Sequence, residues 1–260
     1  MLIPDVAALI VTALFGLCVG SFLNVVIARL PEGRSVVHPG SACPRCGTPI
    51  AWYDNLPVLS YVLLRGRCRR CRESISWRYP AVEIACGILF ALAFIRFEQG
   101  TALASALILL AGLMTITAID LDHQIIPDVL SLPGIAVGIL FSLAPGGIGW
   151  VPSLLGVLLG GGVFLVIIVA STLVLGQAGM GVGDVKLGAM LGAFLGWKLA
   201  LLSILLSTLL GGPLAAGLLV TGRKGRKDPI PFGPFLALGG FISLFWGDAL
   251  LAWYFAQFQS

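Results

Sequence analysis

Two aspartates stand where apolar runs give way to polar residues: Asp120 follows the run 101–119, and Asp184 follows the glycine-rich stretch 179–183. Carboxylates are costly at membrane depth, so two of them at the borders of hydrophobic segments indicate a functional site. Two carboxyl groups held close together cannot both ionise cheaply, and they therefore share one proton. One can then take a proton from water while the other donates one to a carbonyl oxygen. We predict that this pair is the catalytic dyad of an aspartic protease that works in the membrane.

Glycines alternate along the chain before Asp184, at positions 179, 181 and 183. Because glycine lacks a Cβ, we expect these residues to adopt positive φ, to break the helix and to let a substrate backbone approach. The alternative is a flexible connector in which Asp184 serves as the N-cap of the following helix.

Four cysteines form two Cys-x-x-Cys pairs, Cys43 with Cys46 and Cys68 with Cys71, separated by 21 residues. This spacing is close to that of four-cysteine zinc sites. Disulfides and unliganded thiols are the alternatives, and a cytoplasmic location disfavours disulfides. We predict a structural zinc that stabilises a loop too small to bury a substantial core.

Composition places these residues in a membrane protein, because 58% of the chain is hydrophobic, 11% is charged and the mean hydropathy is +1.02. We predict an all-α polytopic fold of about eight transmembrane helices, with seven as the alternative. The expected helices cover 5–29, 80–97, 101–120, 129–145, 151–176, 184–197, 199–221 and 232–257. The sixth is short and is either tilted, re-entrant or continuous with the seventh.

The basic residues predict the orientation. Eight of the 16 Lys and Arg lie within 31–79, and four more lie within 223–227. Both loops are therefore expected in the cytoplasm, with both aspartates at the cytoplasmic side. The predicted organisation is a first helix at 1–30, a zinc-binding cytoplasmic loop at 31–79 and a protease core at 80–260. Topology and anionic lipid account for the net charge of +4, so no nucleic-acid partner is expected.

Glu83 is expected in the first turn of the second long helix. A carboxylate there meets the favourable end of the helix dipole, so capping is one interpretation and a functional polar site is the other.

The chain resembles the bacterial type IV prepilin peptidases, or leader peptidase/N-methyltransferases, of the Gly-x-Gly-Asp class of membrane aspartic proteases. The resemblance covers nearly the whole chain and rests on several motifs in the same order. They are Gly20-Ser21-Phe22-Leu23-Asn24-Val25 with Arg29-Leu30-Pro31, the paired Cys-x-x-Cys, Tyr79-Pro80-x-x-Glu83, Asp120-x-Asp122 through Ile126-Pro127-Asp128, Gly181-x-Gly183-Asp184-Val185-Lys186, and Pro231-Phe232-Gly233-Pro234-Phe235.

This resemblance implies that Asp120 and Asp184 are the catalytic pair of an enzyme in the bacterial inner membrane. The enzyme would cut the leader from type IV prepilins and type II secretion pseudopilins, and then N-methylate the new N-terminus with S-adenosylmethionine. The chain shows no glycine-rich dinucleotide fingerprint, so we expect the donor site in the cytoplasmic loop and helix ends, with Glu83 as a candidate contributor. Asp122 is a weaker candidate that would tune the dyad, and Asp128 is expected to be the N-cap of the fourth helix.

Two other function classes are compatible with parts of the sequence. A transporter or channel would use the aspartates for protons or a cation, but it leaves the cysteine loop unexplained. A non-enzymatic assembly factor would use the loop to bind a secretion or pilus partner. The oligomeric state does not follow from the sequence.

Overall fold

The computed structural model describes residues 5–97, 99–176, 180–221 and 231–257, and these parts of the chain are mainly helical. Gly179 and the basic residues at 223–227 lie outside the described residues. The helices of the described parts are α1 (Val6–Arg29), α2 (Leu59–Leu63), α3 (Arg78–Arg96), α4 (Thr101–His123), α5 (Asp128–Leu143), α6 (Trp150–Leu175), α7 (Val182–Val220) and α8 (Gly233–Ala256). The all-α prediction is confirmed, and α2 is a short helix in the loop that the sequence did not predict.

Six of the described helices are long and apolar enough to cross a membrane: α1, α3, α4, α6, α7 and α8. The apolar helix α5 is shorter, with 16 residues. At a rise of about 1.5 Å per residue it is roughly 24 Å long, somewhat less than the hydrocarbon thickness. The protein is therefore a multi-pass membrane protein.

The long helix α7 is interrupted at Gly196, whose φ of 76° and ψ of 171° are not helical. Neighbouring side chains show that the chain reverses direction there. Leu191, before the break, packs on Gly240 of α8, and Asp120 interacts with the start of both helices, at Asp184 and Gly233, so the first half runs parallel to α8. The second half runs antiparallel to α8, as shown by the close approaches of Leu199 to Gly247, Ser207 to Gly239, and Gly211 to Phe235.

The break at Gly196 settles how the predicted sixth and seventh helices are connected. Residues 182–195 and 197–220 form two antiparallel segments joined at one glycine in the left-handed region. Such a φ carries no steric cost for glycine. With both halves of α7 and the shorter α5 counted, the described residues contain eight apolar helical segments, in agreement with the predicted number.

The chain divides into two compact units, Met1–Leu103 and Ala104–Ser260. In the first unit α1 packs on α3, and the segment between them contains the four cysteines. The two helices approach closely at Gly20, where an added Cβ would come within 2.7 Å of Glu83 Cα. Asn24 also donates a hydrogen bond of 3.0 Å to the Tyr79 carbonyl. The division at 1–30, 31–79 and 80–260 follows expected membrane boundaries and stays a prediction.

In the second unit, glycines bring α6 and α7 into backbone contact. Gly156 lies against Gly192 and Gly160 lies against Gly188, so that a Cβ at Gly192 or Gly188 would overlap the opposite backbone. Four-residue spacing of glycines on both helices places them on one face, which is the small-residue packing of membrane helices. Ser153 donates a buried hydrogen bond of 2.9 Å to the Ala193 carbonyl across the same interface. This contact fixes the start of α7, where Asp184 lies.

Candidate active site and metal centre

Asp120 lies in the last turn of α4 and is buried, with 5% of its surface exposed. Its Oδ2 accepts a hydrogen bond of 2.9 Å from the backbone N–H of Gly233, the first residue of α8. A carboxylate at a helix N-terminus is favoured by the unpaired N–H groups and the helix dipole. A Cβ at Gly233 would lie 2.6 Å from that same Oδ2, so the contact requires glycine.

Asp184 lies in the first turn of α7 and is also buried, with 8% of its surface exposed. Its Oδ2 accepts a hydrogen bond of 3.2 Å from the backbone N–H of Gly181, just before the helix. This is the return half of a capping box, in which the third helical residue bonds back to the N-cap N–H. Asp184 is therefore not itself the N-cap, which corrects that alternative prediction.

Gly181 and Gly183, the two described glycines of the predicted motif, do not adopt the predicted positive φ. The described glycines with positive φ do not include Gly181 or Gly183, and Gly183 is already part of α7. Gly183 is needed for space instead, because its Cβ would lie 2.9 Å from Ile126 Cβ. Helix α7 therefore begins two residues earlier than predicted, at Val182.

The structure brings the two predicted aspartates together. Their carboxyl groups are close enough to interact electrostatically, and the backbone hydrogen bonds engage only one oxygen of each. Both groups are supplied by helix ends of the second unit, at the end where α4 finishes and α7 and α8 begin. Two buried carboxyls in this arrangement can hold one shared proton, as acid and base catalysis of hydrolysis requires.

The segment that follows Asp120 also contacts the start of α7. It leaves α4 through Gln124, whose φ is 57°, and Ile126 then packs on Gly183. Asp128 is the first residue of α5 and not its N-cap, since that position belongs to Pro127. The Asp128 carboxylate pairs with Lys186 Nζ at 2.5 Å, which corrects the predicted capping role.

Sequence reasoning did not assign Gly233, Ile126 or Lys186 to the site. Gly233 and Lys186 lie within motifs that carry the family resemblance, but nothing in their local pattern predicts their contacts. Asp122 is exposed, and its role in tuning the dyad stays a prediction.

The four cysteines of the first unit converge as predicted. The Sγ atoms of Cys43, Cys46, Cys68 and Cys71 all lie within 4.8 Å of one another. Cys43 Sγ and Cys71 Sγ are 3.8 Å apart, which matches the separation of roughly 3.8 Å between two thiolates on a tetrahedral zinc with Zn–S of about 2.3 Å. The cluster can therefore hold a metal ion.

Each Cys-x-x-Cys forms the same turn. The Gly47 N–H bonds to the Cys43 carbonyl at 2.9 Å, and the Arg72 N–H bonds to the Cys68 carbonyl at 3.0 Å. The residue after the second cysteine has positive φ in both turns, 65° at Gly47 and 58° at Arg72. The turns direct two thiols each toward a common centre, so the geometry is that of paired zinc knuckles.

Four thiols this close cannot all ionise without a cation. A hydrogen bond with Thr48 lowers the pKa of Cys46 to about 6. The backbone N–H of Glu73 favours the Cys71 thiolate, yet burial and the neighbouring thiols raise the pKa of Cys71 to about 12. A bound divalent cation would remove this conflict, because it favours the thiolate form of every ligand.

An ion pair holds the second knuckle on the loop. Arg69 donates from Nε and Nη2 to the two carboxylate oxygens of Asp54, at 2.7 and 2.6 Å. This bidentate contact lowers the pKa of Asp54. Arg69 also lies over the ring of Tyr53, 5.7 Å from its centroid. The knuckle is thereby attached to the short turn Trp52–Asn55.

Glu83 makes a contact that corrects the capping interpretation, while its predicted part in a functional polar site stays a prediction. It lies in the second turn of α3, is buried, and accepts a hydrogen bond of 2.7 Å from the Val58 N–H through Oε2. Val58 has a φ of 60°, a conformation that costs energy for a β-branched residue. Glu83 therefore holds the loop in a strained turn at the start of α2, and does not cap its own helix.

Two family models match the chain. One, described as the bacterial peptidase A24 N-terminal domain, matches residues 14–97, and the other, described as the type IV leader peptidase family, matches residues 107–216. The two matches fall in the first and second compact units respectively. The cysteine cluster lies in the first match, and both aspartates lie in the second.

Curated relatives named prepilin leader peptidase/N-methyltransferase resemble the chain over most of its length. The Aeromonas hydrophila protein is 40% identical over 94% of this chain and 93% of its own. The Pseudomonas aeruginosa protein is 39% identical over 97% and 96%, and the Neisseria gonorrhoeae protein is 36% identical over 88% and 87%. No solved structure matches the chain.

Proposed function

Because the chain belongs to the type IV leader peptidase family, we propose that it is a membrane aspartic endopeptidase and N-methyltransferase. It removes the leader peptide from type IV prepilins and methylates the new N-terminus. The observation that carries the proposal is the pair of buried carboxyl groups of Asp120 and Asp184 on helix ends of one unit.

In the proposed reaction, the ionised member of the dyad takes a proton from water, and the resulting oxygen attacks the scissile carbonyl carbon. The protonated member gives its proton to the carbonyl oxygen, which yields a tetrahedral diol. The member that gained the proton from water then donates it to the amide nitrogen as the C–N bond breaks. The other member recovers a proton from the diol, so the dyad ends as it began.

Backbone hydrogen bonds would hold the dyad ready for this exchange. The N–H groups of Gly233 and Gly181 each bind one oxygen of a carboxyl group, and leave the other oxygen for water or substrate. These donors belong to helix N-termini, which need no rearrangement to stabilise negative charge. The dyad titrates as a unit, so the shared proton belongs to the pair and not to one aspartate.

We place the cut at the cytoplasmic face of the inner membrane. Asp120 follows Thr101 by 19 residues along α4, or roughly 28 Å, so it lies at one end of a membrane-length helix. The basic residues at 223–227 precede Gly233 by only a few positions, and Lys and Arg favour the cytoplasmic side. A prepilin with an apolar helix in the bilayer would present its leader at this level. Pseudopilins of type II secretion share that arrangement and are proposed as substrates too.

We propose zinc for the cysteine cluster, because four thiolates at tetrahedral spacing suit it and leave no open position for catalysis. The ion would stabilise the loop without taking part in cleavage.

S-adenosylmethionine is the proposed methyl donor, and it supplies an electrophilic methyl group to the new amine. Glu83 stays a candidate contributor to that site, although its bond to Val58 favours a part in holding the loop.

The test is cleavage of a prepilin by the detergent-purified protein, followed by mass spectrometry. Asp120→Asn and Asp184→Asn should each abolish loss of the leader while helix content is retained. Asp248→Asn is the matched control, because this exposed aspartate of α8 lies 15 residues beyond Gly233. Gain of one methyl only when S-adenosylmethionine is added would support the second activity.

The other function classes predict different results. Leader loss by either active-site variant would overturn the dyad. Absence of cleavage by folded wild-type protein, together with proton-coupled uptake in vesicles, would favour a transporter. Normal pilus assembly in cells that carry both active-site variants would favour an assembly factor.

A further inference from the structure

A groove runs along the face of α1 that does not pack on α3. Cys18, Phe22, Val25 and Arg29 follow one another along this face at helical spacing, and the segments 36–41 and 55–57 form the opposite walls. The cavity has a volume of about 410 Å³. This is within the range of small-molecule sites, and the proposed hydrolysis uses none of these residues.

The part of the groove farther from the loop is open and is lined on α1 mainly by apolar side chains, with Ser21 as the polar exception. Phe22 is 54% exposed, and Val25 continues the same stripe toward the loop. The α1 helix is one of the candidate membrane spans, and Cys18 lies 11 residues before Arg29, or roughly 16 Å along the axis. The groove therefore runs along a candidate membrane span up to the first residues of the loop.

The end of the groove nearest the loop carries positive charge. Arg29 donates hydrogen bonds to the backbone carbonyls of Ser35, Pro39 and Gly40, at 3.1, 2.7 and 3.2 Å. These carbonyls fix the guanidinium in place but do not neutralise it. The described residues that line the groove include no aspartate or glutamate. A guanidinium with donors to spare and no carboxylate beside it is a site for an anion.

From this combination we infer that the groove binds an anionic phospholipid. The phosphate contacts Arg29, and an acyl chain follows Phe22 and Val25 along α1. An apolar stripe inside the bilayer that ends at an anchored arginine has the polarity of such a lipid, in the same order and at the same depth. Bound lipid would fix the loop segment 36–41 against the membrane surface.

Two other ligands fit less well. S-adenosylmethionine carries a sulfonium and an ammonium, and the groove lining includes no carboxylate for either cation, so Arg29 suits only the carboxylate of that molecule. Inorganic phosphate would use Arg29 but would leave the apolar stripe exposed. Both ligands are included in the experiment as competitors of the lipid.

The experiment measures lipid retained by the full-length protein in native mass spectrometry, after exchange into vesicles of phosphatidylcholine with or without phosphatidylglycerol. Wild type should retain phosphatidylglycerol in preference to phosphatidylcholine. Arg29→Gln should reduce this retention about tenfold, as expected for loss of one charge-assisted contact. Val25→Trp should reduce it similarly by filling the groove while Arg29 and its carbonyl contacts stay intact.

Arg34→Gln is the matched control, because this exposed arginine of the same loop pairs with Glu32 and does not line the groove. It should retain the lipid as wild type does. Limited proteolysis of residues 31–79 shows that the loop is folded in each variant, and neither prepilin nor metal is needed, so the result is independent of the proposed function. Equal retention of both lipids, retention unchanged in both groove variants, or displacement by inorganic phosphate or S-adenosylmethionine would each overturn the inference.

Discussion

Lys186 Nζ lies 2.5 Å from Asp128 Oδ1, and this ion pair joins the second turn of α7 to the first residue of α5. A lysine near a helix N-terminus opposes the helix dipole, whereas an aspartate there is favoured. The position of Lys186 is therefore explained by its partner and not by its own helix. Asp128 follows Asp120 by eight residues and Lys186 follows Asp184 by two, so the pair ties the segment after Asp120 to the helix that carries Asp184. We therefore predict that the pair helps to set the spacing of the dyad.

Loss of the ion pair should slow cleavage more than it destabilises the protein. Exposed pairs contribute about 1 kcal/mol or less to stability, and Asp128 is 56% exposed. Misplacement of catalytic groups by about 1 Å can cost on the order of a hundredfold in rate. We expect Lys186→Met to lower kcat at least about tenfold with KM little changed, as measured with a prepilin substrate.

A double variant in which the two charges are exchanged distinguishes loss of positioning from loss of a charge as the cause of a lower kcat. Asp128→Lys combined with Lys186→Asp should recover most of the kcat that either single change loses. Lys198→Met is the control, since Lys198 lies beside Trp197 near the break in the same helix. Unchanged kcat in Lys186→Met, or a double variant no better than the singles, would refute the positioning role.

The glycines around the dyad should differ in their tolerance of alanine. Gly233→Ala places a methyl group 2.6 Å from Asp120 Oδ2, and Gly183→Ala places one 2.9 Å from Ile126 Cβ. Both should reduce cleavage strongly, because the dyad or the segment after Asp120 must move. Gly181→Ala has its nearest neighbour at 3.6 Å and a φ that alanine accepts, so cleavage should stay near wild type. A greater loss of cleavage in Gly181→Ala than in Gly233→Ala would contradict this packing.

The sequence predicted the parts of this protein that depend on composition and on pairs of reactive residues. The lengths of the apolar runs located the helices to within a few residues. The spacing of the two Cys-x-x-Cys pairs identified one cluster, formed by Cys43, Cys46, Cys68 and Cys71. These signals are strong because hydrocarbon thickness and metal geometry admit few alternatives. The paired aspartates followed from the cost of placing carboxylates at membrane depth.

Contacts between distant residues were beyond sequence reasoning. The approach of Gly233 to Asp120 spans 113 positions, and the Val58–Glu83 hydrogen bond depends on a strained turn that no local pattern predicts. Asp128 fits the composition of an N-cap, but Pro127 takes that position and leaves the carboxylate for Lys186. In each case a local propensity was overridden by a tertiary partner.

Loss of metal should unfold the loop. Structural zinc contributes on the order of 10 kcal/mol to the folding of small domains, and this loop has little core of its own. Cys46→Ser, or a strong chelator, should abolish bound zinc and expose residues 31–79 to protease, with a smaller and indirect loss of cleavage. Cys18→Ser is the control, because this exposed cysteine lies on α1 outside the cluster. Zinc content and loop proteolysis that match wild type in Cys46→Ser would refute a metal centre.

Alanine should have opposite effects at two glycines of the α6 and α7 region. A Cβ at Gly192 would overlap the Gly156 backbone, so Gly192→Ala must separate the two helices and should lower resistance to unfolding in denaturing detergent. Gly162 has no atom within 4 Å of its Cβ position, and there alanine gains up to about 1 kcal/mol of helix propensity. Gly162→Ala should therefore match or exceed wild type in the same titration. Because α7 carries Asp184, the separation in Gly192→Ala should also reduce cleavage. Equal stability of the two variants would mean that α6 and α7 are not held by backbone contact.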